Sequence, residues 1–404
     1  NEGINRRDLI VKTAGAAGAA GALIGATPAL AQTSHPLPPG FDTQAPPVVA
    51  HWRNELSDLV SVNFQIDAPE LDQEPVKERH RIYCYLLMKL IHRFWNGNKH
   101  GPFGTYPQRA RQIESIQQSP RIQRYQGDMI ANPEGTRINW DRYLGHNIAC
   151  IAVDGNGAII DFDFNHNDFL RSTVEHAEAR LVRRLFSLTD FFDSWRTGQK
   201  VGDRSRSFSL NEVTLYTSLE SCAQCSGIMS LAGVKQIIYM QNDFTAYMIG
   251  NIMYNLANRN SIQNANGTQT TLPGAPVPIP ASKVSLDEFN ILNDENIAFC
   301  NKLRNADKSD PSQAFFVSQD GSVMDFSPSI TSFLCTDRAY EIFENAGNKL
   351  DTLPLRFPDD RFPDKAATDP DRDKVLTNRQ CLDEAKRFYQ YADVDGYRGS
   401  PHKL

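Results

Sequence analysis

The spacing of apolar and polar positions divides the chain into segments of different period. From Val76 to Trp95 apolar residues recur every three or four positions (Ile82, Tyr83, Leu86, Leu87, Leu90, Ile91, Phe94). This predicts a helix with one apolar stripe, ended by Asn96-Gly97-Asn98. His80 and His92 on that helix read as structural or solvated, not as ligands. Between 147 and 165 the period becomes that of strands. Ile148 to Val153 is a short apolar run, Asp154-Gly155-Asn156-Gly157 is a turn, and Ala158 to Phe164 returns with alternation at its end, so the segment predicts a β-hairpin.

A helix is expected from about Val174 to Phe186, a strand from Val213 to Thr217, and a second helix from Cys222 to Leu231 capped by Gly233. A strand from Val234 to Met240 and a helix from Phe244 to Asn258 follow. The last strand, within Ala275 to Val284, contains prolines and so belongs at a sheet edge. The order β-β-α-β-α-β-α-β predicts an α/β unit with one mixed sheet covered by helices. Beyond it, Leu286 to Leu303, Ser329 to Asn348 and Asn378 to Tyr391 have helical character, with a hairpin turning at Asp320-Gly321. The expected divisions are thus an address (1–31), an N-terminal mainly helical region (32–146), the α/β unit (147–284) and a C-terminal mainly helical extension (285–404).

The address is read from Arg6-Arg7-Asp8-Leu9-Ile10-Val11-Lys12, an Ala/Gly run and Ala29-Leu30-Ala31. The run lacks the Leu/Ile/Val density of a membrane span and ends in a small-x-small cleavage pattern. It resembles a bacterial twin-arginine signal, the alternative being an ordinary secretory signal whose basic end holds two arginines. A twin-arginine signal implies export of an already folded protein to the periplasm or beyond, often with a cofactor inserted first. No transmembrane segment is expected in the mature chain.

Composition narrows the function. The 404 residues are 40% hydrophobic and 22% charged, ordinary for a soluble globular chain, and the net charge of −6 disfavours a dedicated nucleic-acid binder. Seven cysteines are too few and too odd in number for a disulfide scaffold.

Two motifs carry chemistry: His176-Ala177-Glu178 at the opening of one helix and Cys222-Ala223-Gln224-Cys225 at the opening of the next. Cys222 and Cys225, three apart on a first helical turn, face one side and can share an ion, with the His176 imidazole as a third ligand. A helix N-terminus favours the thiolate that metal binding requires. Soft S₂N ligation without redox need points to zinc. Three protein ligands leave a position for water, which zinc acidifies towards a hydroxide nucleophile. Glu178, on a different azimuth from His176, is placed to face that water and to relay its proton to a leaving nitrogen.

Together these motifs resemble the cytidine deaminase-like superfamily of zinc-dependent nucleobase deaminases, whose signature is His-x-Glu followed by Pro-Cys-x-x-Cys. The resemblance covers about 147–284 and implies a three-layer α/β/α core with a five-stranded mixed sheet. It implies His176, Cys222 and Cys225 as zinc ligands and Glu178 as proton shuttle. Ser221 stands where the family has proline. Asn165 follows the second strand, where related enzymes place a ligand-binding asparagine; Asn167 fits the spacing equally, and a turn role fits either. A helix at 244–258 would let the fifth strand return parallel to the fourth, as in the branch with tRNA adenosine, deoxycytidylate and guanine deaminases.

The resemblance implies hydrolytic removal of an exocyclic amine from a nucleobase, nucleoside or related heterocycle. Alternatives are a non-catalytic binding protein that keeps zinc as a staple, favoured by a fourth ligand such as His166, an exported thiol oxidoreductase using Cys222 and Cys225, and an exported toxin acting on nucleic acid. Acidity and the long segment after the α/β unit favour a small substrate. The sequence sets no oligomeric state, and a homo-oligomer is compatible with it.

Overall fold

A computed structural model describes residues 69–95, 145–167, 172–187, 210–243, 261–263, 269–271, 276–317, 321–395 and 400–401. The expected address and the helix expected at 244–258 lie outside these residues. The central sheet is built from β1 (Ala149–Val153), β2 (Ile159–Phe164), β3 (Thr214–Thr217), β4 (Gln236–Tyr239) and β7 (Val277–Pro280), in the order β2-β1-β3-β4-β7. β1 runs antiparallel to β2 and β3, whereas β3, β4 and β7 are parallel, so the sheet is mixed. Pro278 and Pro280 lack an N–H for a further ladder, and β7 accordingly sits at the edge. β5 (Ser261–Gln263) and β6 (Gln269–Thr271) form a separate hairpin.

Alternation along two strands assigns the layers. On β3, Tyr216 meets His80 and Tyr83 of α1 (Glu74–Arg93), while the next residue, Thr217, hydrogen-bonds Glu178 of α2 (Ala177–Ser187). On β2, Phe162 and Phe164 pack with Phe94 just beyond α1, and Phe162 also meets Phe388 of α7 (Asn378–Asp395). Asp161 and Asp163 point the other way, into ion pairs with Arg184 at 2.9 and 3.0 Å, and Asp163 also meets Arg180 at 3.4 Å. One face of the sheet therefore carries α2 and α3 (Ala223–Ala232), and the other carries helices from before and after the 147–284 segment. The ion pairs lock α2 to its strand in one orientation, a role that buried charges fill better than they add stability.

The periodicity predicts one apolar stripe on α1, yet this helix is buried on nearly every side, Glu78, Arg79 and His80 included. Its second face is covered by α6 (Asp337–Thr352) and α7. The two charged residues are tolerated because backbone groups and the Asn378 side chain meet them. Glu78 accepts from the N–H groups of Arg356 and Phe357, and Arg79 donates to Asn378 Oδ1 at 3.0 Å and to the carbonyl of Phe362. At Gly347 of α6 an added Cβ would lie 2.8 Å from Lys89 Cα, so the backbones approach closely there. Gly347→Ala is expected to force the two helices apart and lower the unfolding free energy by about 1–3 kcal/mol. Urea denaturation measures this, and an unchanged midpoint would contradict the packing.

The expected helix 329–348 is broken in two. Ser329 caps α5 (Ile330–Phe333), and Thr336 then caps α6 by accepting from the Ala339 N–H at 3.0 Å. The preceding helix, α4, spans Asp287–Arg304, and β8 (Phe316–Val317) pairs with β9 (Met324–Asp325) where a hairpin is expected. Among the described residues no helix is long and apolar enough to cross a membrane.

Candidate metal centre and active site

The site is assembled at the start of two neighbouring helices on one face of the sheet. Asn165, just past β2, accepts the Ala177 N–H at 2.7 Å and so holds the start of α2, which carries Glu178 and is directly preceded by His176. β3 leads into the loop 218–222, pinned to β1 where Ser218 Oγ accepts the Ala149 N–H at 3.1 Å. That loop delivers Cys222 as the N-cap of α3 and Cys225 within its first turn. At the far end of α3, Gly233 adopts the left-handed conformation (φ 67°) that turns the chain into β4.

The three expected ligands converge. His176 Nδ1 lies 3.3 Å from Cys222 Sγ and 3.6 Å from Cys225 Sγ, and the sulfurs are 3.6 Å apart. None of the seven cysteines forms a disulfide. A tetrahedral zinc ion bonded at about 2.3 Å to sulfur and about 2.0–2.1 Å to nitrogen needs ligand atoms about 3.5–3.8 Å apart. The observed triangle meets this on two sides and is slightly tighter on the third. Among the described residues this is the one group of three His, Cys, Asp or Glu ligand atoms so gathered, and His166 does not join it. His166 is instead buried with Nδ1 3.0 Å from the Phe164 carbonyl.

Electrostatics favour a cation here. The Cys222 thiol is pulled down to about 4, chiefly by the hydrogen bond shared with the Cys225 sulfur, with His176 and the Cys225 N–H adding to it. The same bond, with burial, pushes Cys225 up. His176 is raised, first by its bond to Cys222. The lowered Cys222 thiol favours the thiolate, the form that binds a soft divalent ion.

Glu178 is 3% exposed. Its Oε1 accepts from Thr217 Oγ1 at 3.1 Å and from Ser221 Oγ at 3.0 Å, and Oε2 faces the Cys225 thiol at 3.5 Å. Burial raises the carboxyl above its ordinary range. Ser221, notable in the sequence only as a missing proline, therefore supplies a hydrogen bond that proline cannot make. The centre opens into a cavity of about 460 Å³, within the range of small-molecule sites.

No family model matches the sequence, and no curated protein matches it. Among solved structures, the chain is similar to one from a study of A-to-I editing by tRNA:A34 deaminases at the wobble position of transfer RNA. That alignment spans 43% of this chain and 97% of the other, at 16% identity and a TM-score of 0.23. It is also similar to guanine deaminase from Bacillus subtilis, over 36% of this chain and 76% of the other, at 19% identity and a TM-score of 0.20.

Asn165 and Asn167 both line the cavity, together with His176, Glu178 and Cys222. Asn165 is engaged through its Oδ1 in holding the start of α2, and Asn167 reaches His146 Nε2 at 3.2 Å. Residues that sequence reasoning missed complete the walls: His146, Asp243 and the segment Ser329 to Thr331. Asp243 follows β4, outside both motifs. Its N–H is held at 3.0 Å by Glu220 Oε2, two residues before Cys222. The 329–331 segment lies about a hundred positions from the nearest ligand and has no motif, so nothing in the chain pointed to it.

Proposed function

We propose that the chain is a zinc-dependent deaminase of the cytidine deaminase-like kind, which hydrolyses an exocyclic amine from a nucleobase, nucleoside or related heterocycle. The observation that carries this reading is Glu178: a buried carboxylate, oriented by two hydroxyls, set beside a His/Cys/Cys triad and opening onto a cavity of small-molecule size. A staple for folding has no use for such a carboxylate. His176, Cys222 and Cys225 would hold zinc, which, when bound, supplies Lewis acidity that lowers the pKa of water towards neutrality. The residues of the chain divide the remaining work. Glu178 accepts the proton of the attacking water and returns it to the departing nitrogen, so that a C–O bond forms, the C–N bond breaks and ammonia leaves. Thr217 and Ser221 hold one of its oxygens, leaving Oε2 to exchange the proton. The raised carboxyl suits both halves of the relay.

The parallel pairing of β4 and β7 supports the branch that the resemblance associates with tRNA adenosine, deoxycytidylate and guanine deaminases. Export to the periplasm or beyond is part of the proposal and rests on residues 1–31 alone. Ammonia release by the full chain, loaded with zinc, from a panel of free bases, nucleosides and short single strands tests the reading. We expect turnover of a base or nucleoside that a chelator abolishes and zinc restores. A zinc-loaded chain that releases ammonia from no member of the panel overturns it.

A further inference from the structure

The cavity above the centre is not walled by the α/β unit alone. Ser329, Ile330 and Thr331, from the region after residue 284, line it together with His176, Glu178 and Cys222. We infer that this segment sets which heterocycle the site accepts, so that the C-terminal region is the specificity element of the enzyme. The inference deepens the proposed function and rests on it for the nature of the ligand, a planar ring with or without a sugar.

One bond anchors this segment's helix, and a second pair positions the neighbouring cavity residue Asp243. Asn147, between the cavity residues His146 and Ile148, donates through Nδ2 to the Leu334 carbonyl at 2.9 Å, tying α5 to the start of β1. On the other side, Gln241 Nε2 donates to the Leu292 carbonyl at 3.1 Å and the Asn242 N–H to Asn293 Oδ1 at 3.0 Å. Those bonds tie α4 to the turn that carries Asp243 into the same cavity. Within the segment, Ser329 Oγ accepts the Ser332 N–H and lies 3.2 Å from Thr331 Oγ1. Ile330 is 3% exposed and belongs to the main core cluster, so its side chain has little room to yield. A wall tied down at Leu334, with an aliphatic side chain flanked by two hydroxyls, discriminates by shape. A change of a few carbon atoms in such a wall alters selectivity by about tenfold or more.

The test uses Thr331→Trp, which fills the cavity from a half-buried position, Ile330→Ala, which enlarges it, and Val394→Trp, on the exposed side of α7, as control. In the chelator-treated full chain, Cys222 is alkylated with iodoacetamide or with a bulky maleimide, and the sites are mapped by mass spectrometry. Relative to wild type, the ratio of small to bulky reagent at Cys222 is expected to rise about tenfold in Thr331→Trp and to fall in Ile330→Ala. The control should leave it unchanged. In the deamination panel, Thr331→Trp should shift kcat/KM from nucleosides towards free bases. Should Ile330→Ala fail to fold, Thr331→Trp decides alone. Unaltered Cys222 ratios in folded variants overturn the inference whether or not the enzyme turns over. If the ratios move while the wild-type chain deaminates nothing, the wall stands and the deaminase reading falls.

Discussion

Replacing Glu178 with Gln should lower kcat for deamination by about 10³-fold, within the range that a general acid–base group supplies, while leaving metal content and melting temperature close to wild type. The amide keeps an oxygen that can accept from Thr217 and Ser221 at 3.1 and 3.0 Å, so the packing around a side chain only 3% exposed is retained. What is lost is the capacity to take up and return a proton. KM should change far less than kcat, because in the proposed mechanism the group acts on the transferred proton and not on the resting substrate. Steady-state ammonia release under zinc-replete conditions measures both constants. Activity undiminished in the variant would remove Glu178 from the mechanism.

Cys222→Ser should empty the centre, taking bound zinc from about one per chain to a trace, with activity lost in parallel. The substitution tests ligation and not folding, because Cys222 is the N-cap of α3 and makes no side-chain cap hydrogen bond, whereas serine is a favoured cap. The helix should therefore form at least as well. The loss of affinity should exceed the roughly 10–100-fold typical of groups that only support a ligand. Elemental analysis of purified wild type and variant gives the answer. Full zinc retention in Cys222→Ser would show that the ion sits elsewhere.

The strands and the centre were legible because both are local. A short apolar run marks β1, alternation marks the end of β2, and the pairs His176/Glu178 and Cys222/Cys225 are each set by close spacing in the chain. Other features depend on groups distant in the chain. The polar positions Glu78, Arg79 and His80 interrupt the apolar stripe of α1, yet they are buried: backbone groups between 356 and 376 meet Glu78 and Arg79, and the Tyr216 hydroxyl lies 2.7 Å from His80 Nδ1. Asp161 and Asp163 likewise alternate with phenylalanines as an exposed face would, and are paired with arginines of α2 instead. Ser221 reads as a departure from a motif until its hydroxyl is seen on Glu178. Thr336 is a strong cap inside a helical period, a signal that the pattern of apolar residues outweighed.

Arg79 and Asn378, joined across 3.0 Å, stand 299 positions apart in the chain. Closing a loop of that length costs about 5 kcal/mol of chain entropy, and contacts so remote slow folding. On a ribosome making about 5–20 residues per second, α1 would wait about 15–60 s for its last helical neighbour. All three expected zinc ligands are made within that interval. The centre can therefore gather its sulfurs and imidazole before α6 and α7 exist to cover α1, and the uncovered apolar flank of α1 is the surface a chaperone would meet first.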